Sequence, residues 1–267
     1  MYKYNRDSLD LFLETEKKRL KTTCKLWAQK GFTVYKYKMY NNYRLGNGIW
    51  IKNSKGKSLK DWENIFSKFF TKEKYQHKTF TFINDNSLEH LKTEAQEAGY
   101  KEVNDSAIKV CYRKSFKNDF FSSKFKIHKI ETEQDWKDYK KFVKEIHFDK
   151  PWHYNEGFDI LRKTSDSINI ERFCILKENP RKIVSVVGMW VWNNIGRVEN
   201  LETHPDFRRQ GLARRLLTFI FQRAIKKFHA KGLVLISSNN KDAVSLYKNF
   251  GFKIIGNKVE LMNYLTY

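Results

Sequence analysis

The sequence predicts an α/β protein of two domains, each with a mixed sheet and its own core. Three observations predict it. Period-two and period-3.6 apolar patterns alternate from one end of the chain to the other. The length of 267 residues is long for one domain and comfortable for two. Late in the chain, a strand-like run passes through a short basic turn that contains a Gly into the longest helical pattern.

The elements follow in order. Asp7 to Lys30 carries Leu9, Phe12, Leu13, Leu20, Cys24 and Trp27 near helical spacing and stops at Gly31, which predicts one amphipathic helix. Phe32 to Tyr43 alternates apolar and polar residues and predicts a strand. A turn over Asn41 to Asn47 leads to a short returning strand, Gly48 to Lys52. Ser58 caps a second helix reaching Phe70, with Leu59, Trp62, Ile65, Phe66 and Phe69 on one face. Thr79 to Ile83 predicts a strand, Ser87 to Gly99 a third helix, and Ala107 to Tyr112 a closing strand. Lys114 to Lys126 has no period, so the boundary is expected near residue 124, giving domains 1–124 and 125–267.

The second series starts with a strand, Phe125 to Glu131, and a helix, Glu133 to Phe148. A loop, Asp149 to Tyr154, precedes a helix from Asn155 to Ile168. Strands are expected over Arg172 to Lys177, Ile183 to Trp192 and Arg197 to Thr203. Arg209 to Lys231 is the longest helix. A strand, Leu233 to Ser237, and a short helix, Asp242 to Asn249, follow it. Phe252 to Ile255 and Val259 to Leu265 are extended. Gly99-Tyr100 and Gly251-Phe252 each close a short helix before a last strand, an echo that suggests a worn internal duplication.

Composition bounds the function. Mean hydropathy is −0.70 and no apolar run approaches a membrane span, so no membrane role is expected. The first ten residues lack an apolar signal core, which argues against export and for a cytoplasmic protein. Cys24, Cys111 and Cys174 are widely separated, form no CxxC pair and read as inert thiols rather than metal ligands; no metal is expected. The net charge of +22 favours polyanionic partners. It is spread almost evenly over the two halves, so nucleic acid is a possible partner but not the favoured one.

The chemistry concentrates between Val198 and Leu217. A strand ends at Thr203, Pro205 blocks its continuation, and a basic turn opens a long helix. Unpaired amides and the positive end of the helix dipole then face one point, which makes an anion site. Gly211 lets the backbone approach an anion, Ala213 keeps the next position small, and Arg208 and Arg209 add charge. Taken alone, the turn is also compatible with ordinary punctuation between a strand and a helix.

The downstream residues add weight. Arg208-Arg-Gln-Gly-Leu-Ala213 fits the (Q/R)xxGx(G/A) signature, and Asn240-Lys-Asp-Ala243, Leu246-Tyr247 and Gly251-Phe252 follow at the usual spacing. In these residues the chain resembles the GNAT superfamily of N-acetyltransferases over 125–267, with the strong motifs between 197 and 252. The resemblance implies a mixed sheet splayed open after its fourth strand and acetyl-CoA as acyl donor. The pantetheine arm would run along the backbone of Leu201, Glu202 and Thr203. The pyrophosphate would rest on Arg208, Arg209, Gln210, Gly211, Leu212 and Ala213, and Asn240, Ala243 and Tyr247 would complete the cofactor site. It implies direct attack of a primary amine on the thioester, with Tyr247 as the acid that protonates the leaving thiolate.

The base is less determined. Glu199 and Glu202 lie on the fourth strand, where the family often places a catalytic carboxylate; on a regular strand they face opposite sides, and Glu199, which shares parity with Leu201, is the better candidate for the base unless a bulge intervenes. Each is equally readable as a solvated or ion-paired carboxylate. His204 reads as structural. The loop His147 to Tyr154, with Trp190 and Trp192 one strand away, either shapes an acceptor slot or packs an edge. The first half lacks a phosphate turn and resembles a degenerate GNAT-like domain, with an unrelated α+β domain as the alternative. Besides an acetyltransferase, a silent CoA- or partner-binding regulator and an RNA-associated acetyltransferase remain open readings. The amine and the oligomeric state are not legible.

Overall fold

The computed structural model describes residues 6–41, 43–70, 77–83, 88–112, 125–238 and 240–264. The chain divides into two compact units, neither contiguous in sequence. One comprises Tyr4–Lys109, Ile236–Ser245 and Ile254–Tyr267; the other is built on Val110–Leu235 and Leu246–Lys253. The boundary expected near residue 124 lies outside the described residues, as does Ser87, the expected start of the third helix.

The unit built on Tyr4–Lys109 contains α1 (Arg6–Thr23), β1 (Cys24–Gln29), β2 (Phe32–Tyr37), β3 (Asn47–Ile51), α2 (Leu59–Phe69), β4 (His77–Ile83), α3 (Glu89–Glu97) and β5 (Lys101–Cys111). The helix expected over 7–30 is therefore a helix followed by a strand. Cys24 to Gln29 pairs antiparallel with Phe32 to Tyr37 around the two-residue turn Lys30-Gly31. Gly31 has φ +88° and serves a hairpin, not a helix end. The spacing of Leu20, Cys24 and Trp27 is helical, but the ladder to β2 makes Cys24 to Gln29 a strand, on which Cys24 is buried and Trp27 faces the other side.

Strands β1, β2, β3 and β4 are consecutive neighbours. The next is β11 (Lys253–Tyr264), followed by β5. Strand β3 runs parallel to β4, and β11 pairs antiparallel with β4 from Lys258–Ile83 to Tyr264–His77. Val34, Ile49, Ile51, Phe80, Phe82, Val259 and Leu261 build the core with Trp62, Phe66 and Leu91 of α2 and α3. A capping box between Ser58 and Asp61 closes the start of α2. The opposite sheet face is polar: Tyr35 Oη lies 3.0 Å from Thr81 Oγ1, and buried Glu260 pairs with Lys258 at 2.9 Å.

The second unit contains β6 (Lys126–Lys129), α4 (Glu133–Ile146), the short α5 (Pro151–Tyr154), α6 (Glu156–Ile168), β7 (Glu171–Lys177), β8 (Lys182–Trp192) and β9 (Ile195–Thr203). It continues with α7 (Leu212–Phe228), β10 (Gly232–Ser238) and α8 (Lys241–Phe250), the last two reaching into residues of the other unit. Its strand order is β10-β9-β8-β7-β6, antiparallel except for β10 beside β9. On one face, α4 and α6 pack Trp136, Tyr139, Phe142, Val143 and Phe158 against Cys174, Leu176, Ile183 and Val186. On the other, α7 sets Phe219 edge-on to Phe173, with ring centroids 4.9 Å apart. Arg223 clamps Glu171 with bonds of 2.6 and 2.7 Å, and this pairing holds the Glu171 carboxyl down at about 2.

All three cysteines are buried and none forms a disulfide; burial pushes the Cys174 thiol up to about 12. Among the described residues, no helix is long and apolar enough to cross a membrane.

Candidate functional site

The site grows from two departures of β9 from regularity. The first is a bulge. Glu202 pairs with Val186 and Glu199 with Gly188, so Asn200 and Leu201 together oppose only Val187. Asn200 takes φ +48° to accommodate the extra residue. Val186 and Gly188 are two apart and share a face, so the bulge puts Glu199 and Glu202 on one face. The opposite facing expected from a regular strand is thereby corrected.

The second departure is a parting of strands. The ladder between β9 and β10 runs from Ile195–Gly232 to Arg197–Val234 and ends there. Val198 to Thr203 continues beyond it with no ladder partner on that side among the described residues. Apart from Glu202 O and Thr203 O, which accept from Ser185 Oγ at 2.9 Å and Arg208 Nε at 3.3 Å, that edge has no backbone ladder among the described residues. This is the splay that the sequence implied, and it contains Leu201, Glu202 and Thr203.

The chain then turns. Pro205–Phe207 form a single 3-10 turn, with the Phe207 and Arg208 amides bonding back to His204 O and Pro205 O at 2.9 and 3.1 Å. Arg208 Nε donates to Thr203 O at 3.3 Å, tying the turn to the strand end. Arg209 and Gly211 both take left-handed conformations, φ +61° and +75°. Gly211 is the N-cap of α7, which has no side-chain cap and no acidic residue in its first turn. The Arg215 amide is the one that bonds back to Gly211 O, at 2.9 Å. The amides ahead of it stand at the open, positive end of the helix. Arg208, Arg209, Gln210 and Gly211 are exposed, so an anion reaches this turn from solvent.

Tyr247 lies on α8, buried, with its ring edge-on to Phe252 at 5.5 Å. Burial pushes its phenol up to about 12, so it carries its proton at neutral pH. Helix α8 meets α7 through Phe250 and Phe221, whose ring centroids are 6.2 Å apart. Asn240 Oδ1 accepts from the Asp242 and Ala243 amides at 2.9 and 3.4 Å. Asn240 therefore caps α8, and Ala243 sits in the capped first turn.

The carboxylates differ in their partners. Glu199 Oε1 accepts from buried Arg197 Nε at 2.8 Å and from Trp190 Nε1 at 3.2 Å. Glu202 Oε2 lies 2.9 Å from His147 Nε2, at the C-cap of α4. The His147 ring stacks on His153, with centroids 4.6 Å apart and planes 16° apart. Trp152 meets His153 edge-on, and Phe148 stands 77% exposed beside them. His204 is buried among Glu145, Lys182 and Phe207, a packing position.

Sequence reasoning missed Arg197, and it allowed for a bulge on this strand without placing it at Asn200. One signal was present: Asn is a poor strand residue, and here it interrupts an otherwise β-forming run.

Comparison with known proteins agrees with this geometry. Residues 131–252 match the model of the acetyltransferase (GNAT) family. No curated protein matches the sequence. A conserved protein of unknown function from Staphylococcus epidermidis has a similar structure, with TM-score 0.72 and 15% identity over 90% of this chain and 93% of its own. A GCN5-related N-acetyltransferase from Kribbella flavida gives TM-score 0.66 and 11% identity over 94% of each chain. A tandem GNAT protein from the clavulanic acid biosynthesis pathway gives 0.56 and 8%, over 78% of this chain and 70% of its own. At such identities these likenesses speak for the fold alone. The family match therefore stands on residues 131–252, which are similar to the acetyltransferase (GNAT) family, and these likenesses add a shared fold.

Proposed function

We propose that this domain transfers an acetyl group from acetyl-CoA to a primary amine by direct attack. The observation that carries the proposal is the unpaired half of β9 running straight into the uncapped, arginine-flanked start of α7. An extended pantetheine arm matches the first in length and hydrogen-bonding need, and a pyrophosphate matches the second in charge. Leu201, Glu202 and Thr203 supply the backbone edge, and Arg208 through Ala213 the phosphate cradle. Tyr247, buried and protonated, is suited to give its proton to the departing sulfur. Glu199 is fixed by Arg197 and Trp190 and forms part of the wall. The half beginning at α1 is proposed as a GNAT-like partner domain without its own cofactor. Buried cysteines that form no disulfide suit a reducing compartment, and the cytoplasm is the proposed location.

The test is calorimetric titration of acetyl-CoA into the full chain, followed by thiol release in the presence of a panel of primary amines. The wild type and Tyr247→Phe are expected to bind acetyl-CoA equally, while the variant turns over about 100-fold more slowly. Wild-type protein that is folded and binds no acetyl-CoA ends the proposal.

A further inference from the structure

The side chains of His147 and Glu202, paired on the α4 side of the bulge, have no role in that reaction so far. We infer that His147 is the base that deprotonates the acceptor ammonium, and that Glu202 is its positioning residue. The inference rests on the acetyl-transfer reading and deepens it.

The bulge sets the geometry of the pair. It turns the Glu202 side chain onto the face that carries α4, while the backbone on either side of it stays on the unpaired edge of β9. A nucleophile approaching a thioester held on that edge from the α4 face therefore meets Glu202 and His147. An ionised carboxylate only accepts hydrogen bonds, so His147 Nε2, 2.9 Å from Glu202 Oε2, carries the hydrogen. That fixes the tautomer and leaves a lone pair on Nδ1. The His153 ring, parallel at 4.6 Å, holds the imidazole plane from one side. Both partners are partly open to solvent, with side-chain exposures of 26% for His147 and 30% for Glu202, so a proton gained can also leave. Glu199 offers a contrast on the same face, since Arg197 and Trp190 already occupy its Oε1.

The steps balance. An ammonium proton moves to His147 Nδ1, and Glu202 stabilises the imidazolium formed. The free amine attacks the thioester carbonyl carbon, the C–N bond forms, the C–S bond breaks, and sulfur takes the Tyr247 proton. The second nitrogen proton restores Tyr247, and the imidazolium releases its proton to solvent. The products are the acetamide, the free thiol and one proton.

The test uses the full chain as wild type, His147→Gln, Glu202→Gln, the double variant and His147→Ala. Acetyl-CoA affinity is measured by calorimetry, and thiol release is followed with the best primary amine of the panel. His147→Gln is expected to lower kcat about 100-fold and Glu202→Gln about 10-fold, with acetyl-CoA affinity unchanged. The double variant should be no slower than His147→Gln, because the two act as one unit. Added imidazole should restore turnover to His147→Ala, which a packing role would not allow. A wild type that turns over while His147→Gln stays within about twofold of it overturns the inference and leaves acetyl transfer standing. Full additivity in the double variant, or no rescue by imidazole, also overturns it. A wild type that releases no thiol with any amine removes the acetyl-transfer reading and this inference together.

Discussion

The two halves of the chain follow one plan and diverge at one joint. The first runs α1, β1-β2-β3, α2, β4, α3, β5; the second, from α6, runs β7-β8-β9, α7, β10, α8, β11. Each has three antiparallel strands, then a helix, then a strand parallel to the third. In the first half the third strand has five residues and pairs with β4 up to its last residue, Ile51. Ser58 and Asp61 then bond the helix amides themselves. In the second half the third strand has nine residues, is bulged, and overruns its partner by six; the next helix has no side-chain cap and carries Arg214 and Arg215 in its first turn. The same order of elements thus ends in a paired strand and a capped helix in one place, and in an overrunning strand and an uncapped helix in the other. The first helix start is capped by its own side chains, and the second has no side-chain cap.

The most severe break of this contrast is Gly211→Asp, which adds a carboxylate and a side chain at φ +75°. Acetyl-CoA affinity should fall by more than about 100-fold in calorimetry. Lys55→Asp, in the corresponding turn of the first half, should leave it within about twofold. Asn47→Ala is the next largest. Its amide donates to Tyr40, Asn41 and Tyr43 carbonyls and accepts from the Tyr37 amide, all near 3 Å and out of solvent. Losing this hub should cost about 3 kcal/mol in urea unfolding.

Glu171→Gln sharpens the picture of the second half. The Glu171 carboxyl is held at about 2, below its ordinary 4.5. A depressed acid stabilises the fold fully above the unfolded value and loses that contribution as pH falls through the folded one. The variant should be less stable by about 1–2 kcal/mol at pH 7, after allowance for solvent screening, and the gap should close between pH 4.5 and 2. Ser58→Ala is the mildest, costing about 1 kcal/mol of stability and no cofactor affinity.

Much of this was legible because it is local. Ser58 as a cap, the strand ending at Thr203 and the Gly211 turn opening α7 each follow from residues within a few positions of one another. What was not legible depended on distant partners. Cys24 to Gln29 has helical spacing and becomes a strand because Phe32 to Tyr37 pairs with it. The facing of Glu202 depended on one extra residue, Asn200, whose effect on parity appears only against β8. The Glu202–His147 contact joins residues 55 apart, and neither one signals the other.

Strand β11 has a consequence for how the molecule is made. It fills the place between β4 and β5, and Thr81 donates to Glu260 at 3.4 Å across 179 positions of chain. During synthesis, the unit begun by α1 therefore leaves the ribosome with a gap in its sheet, its Phe80 and Phe82 edge unmated, until Lys258 to Tyr264 emerges. Until then that edge offers unpaired backbone to any neighbouring strand.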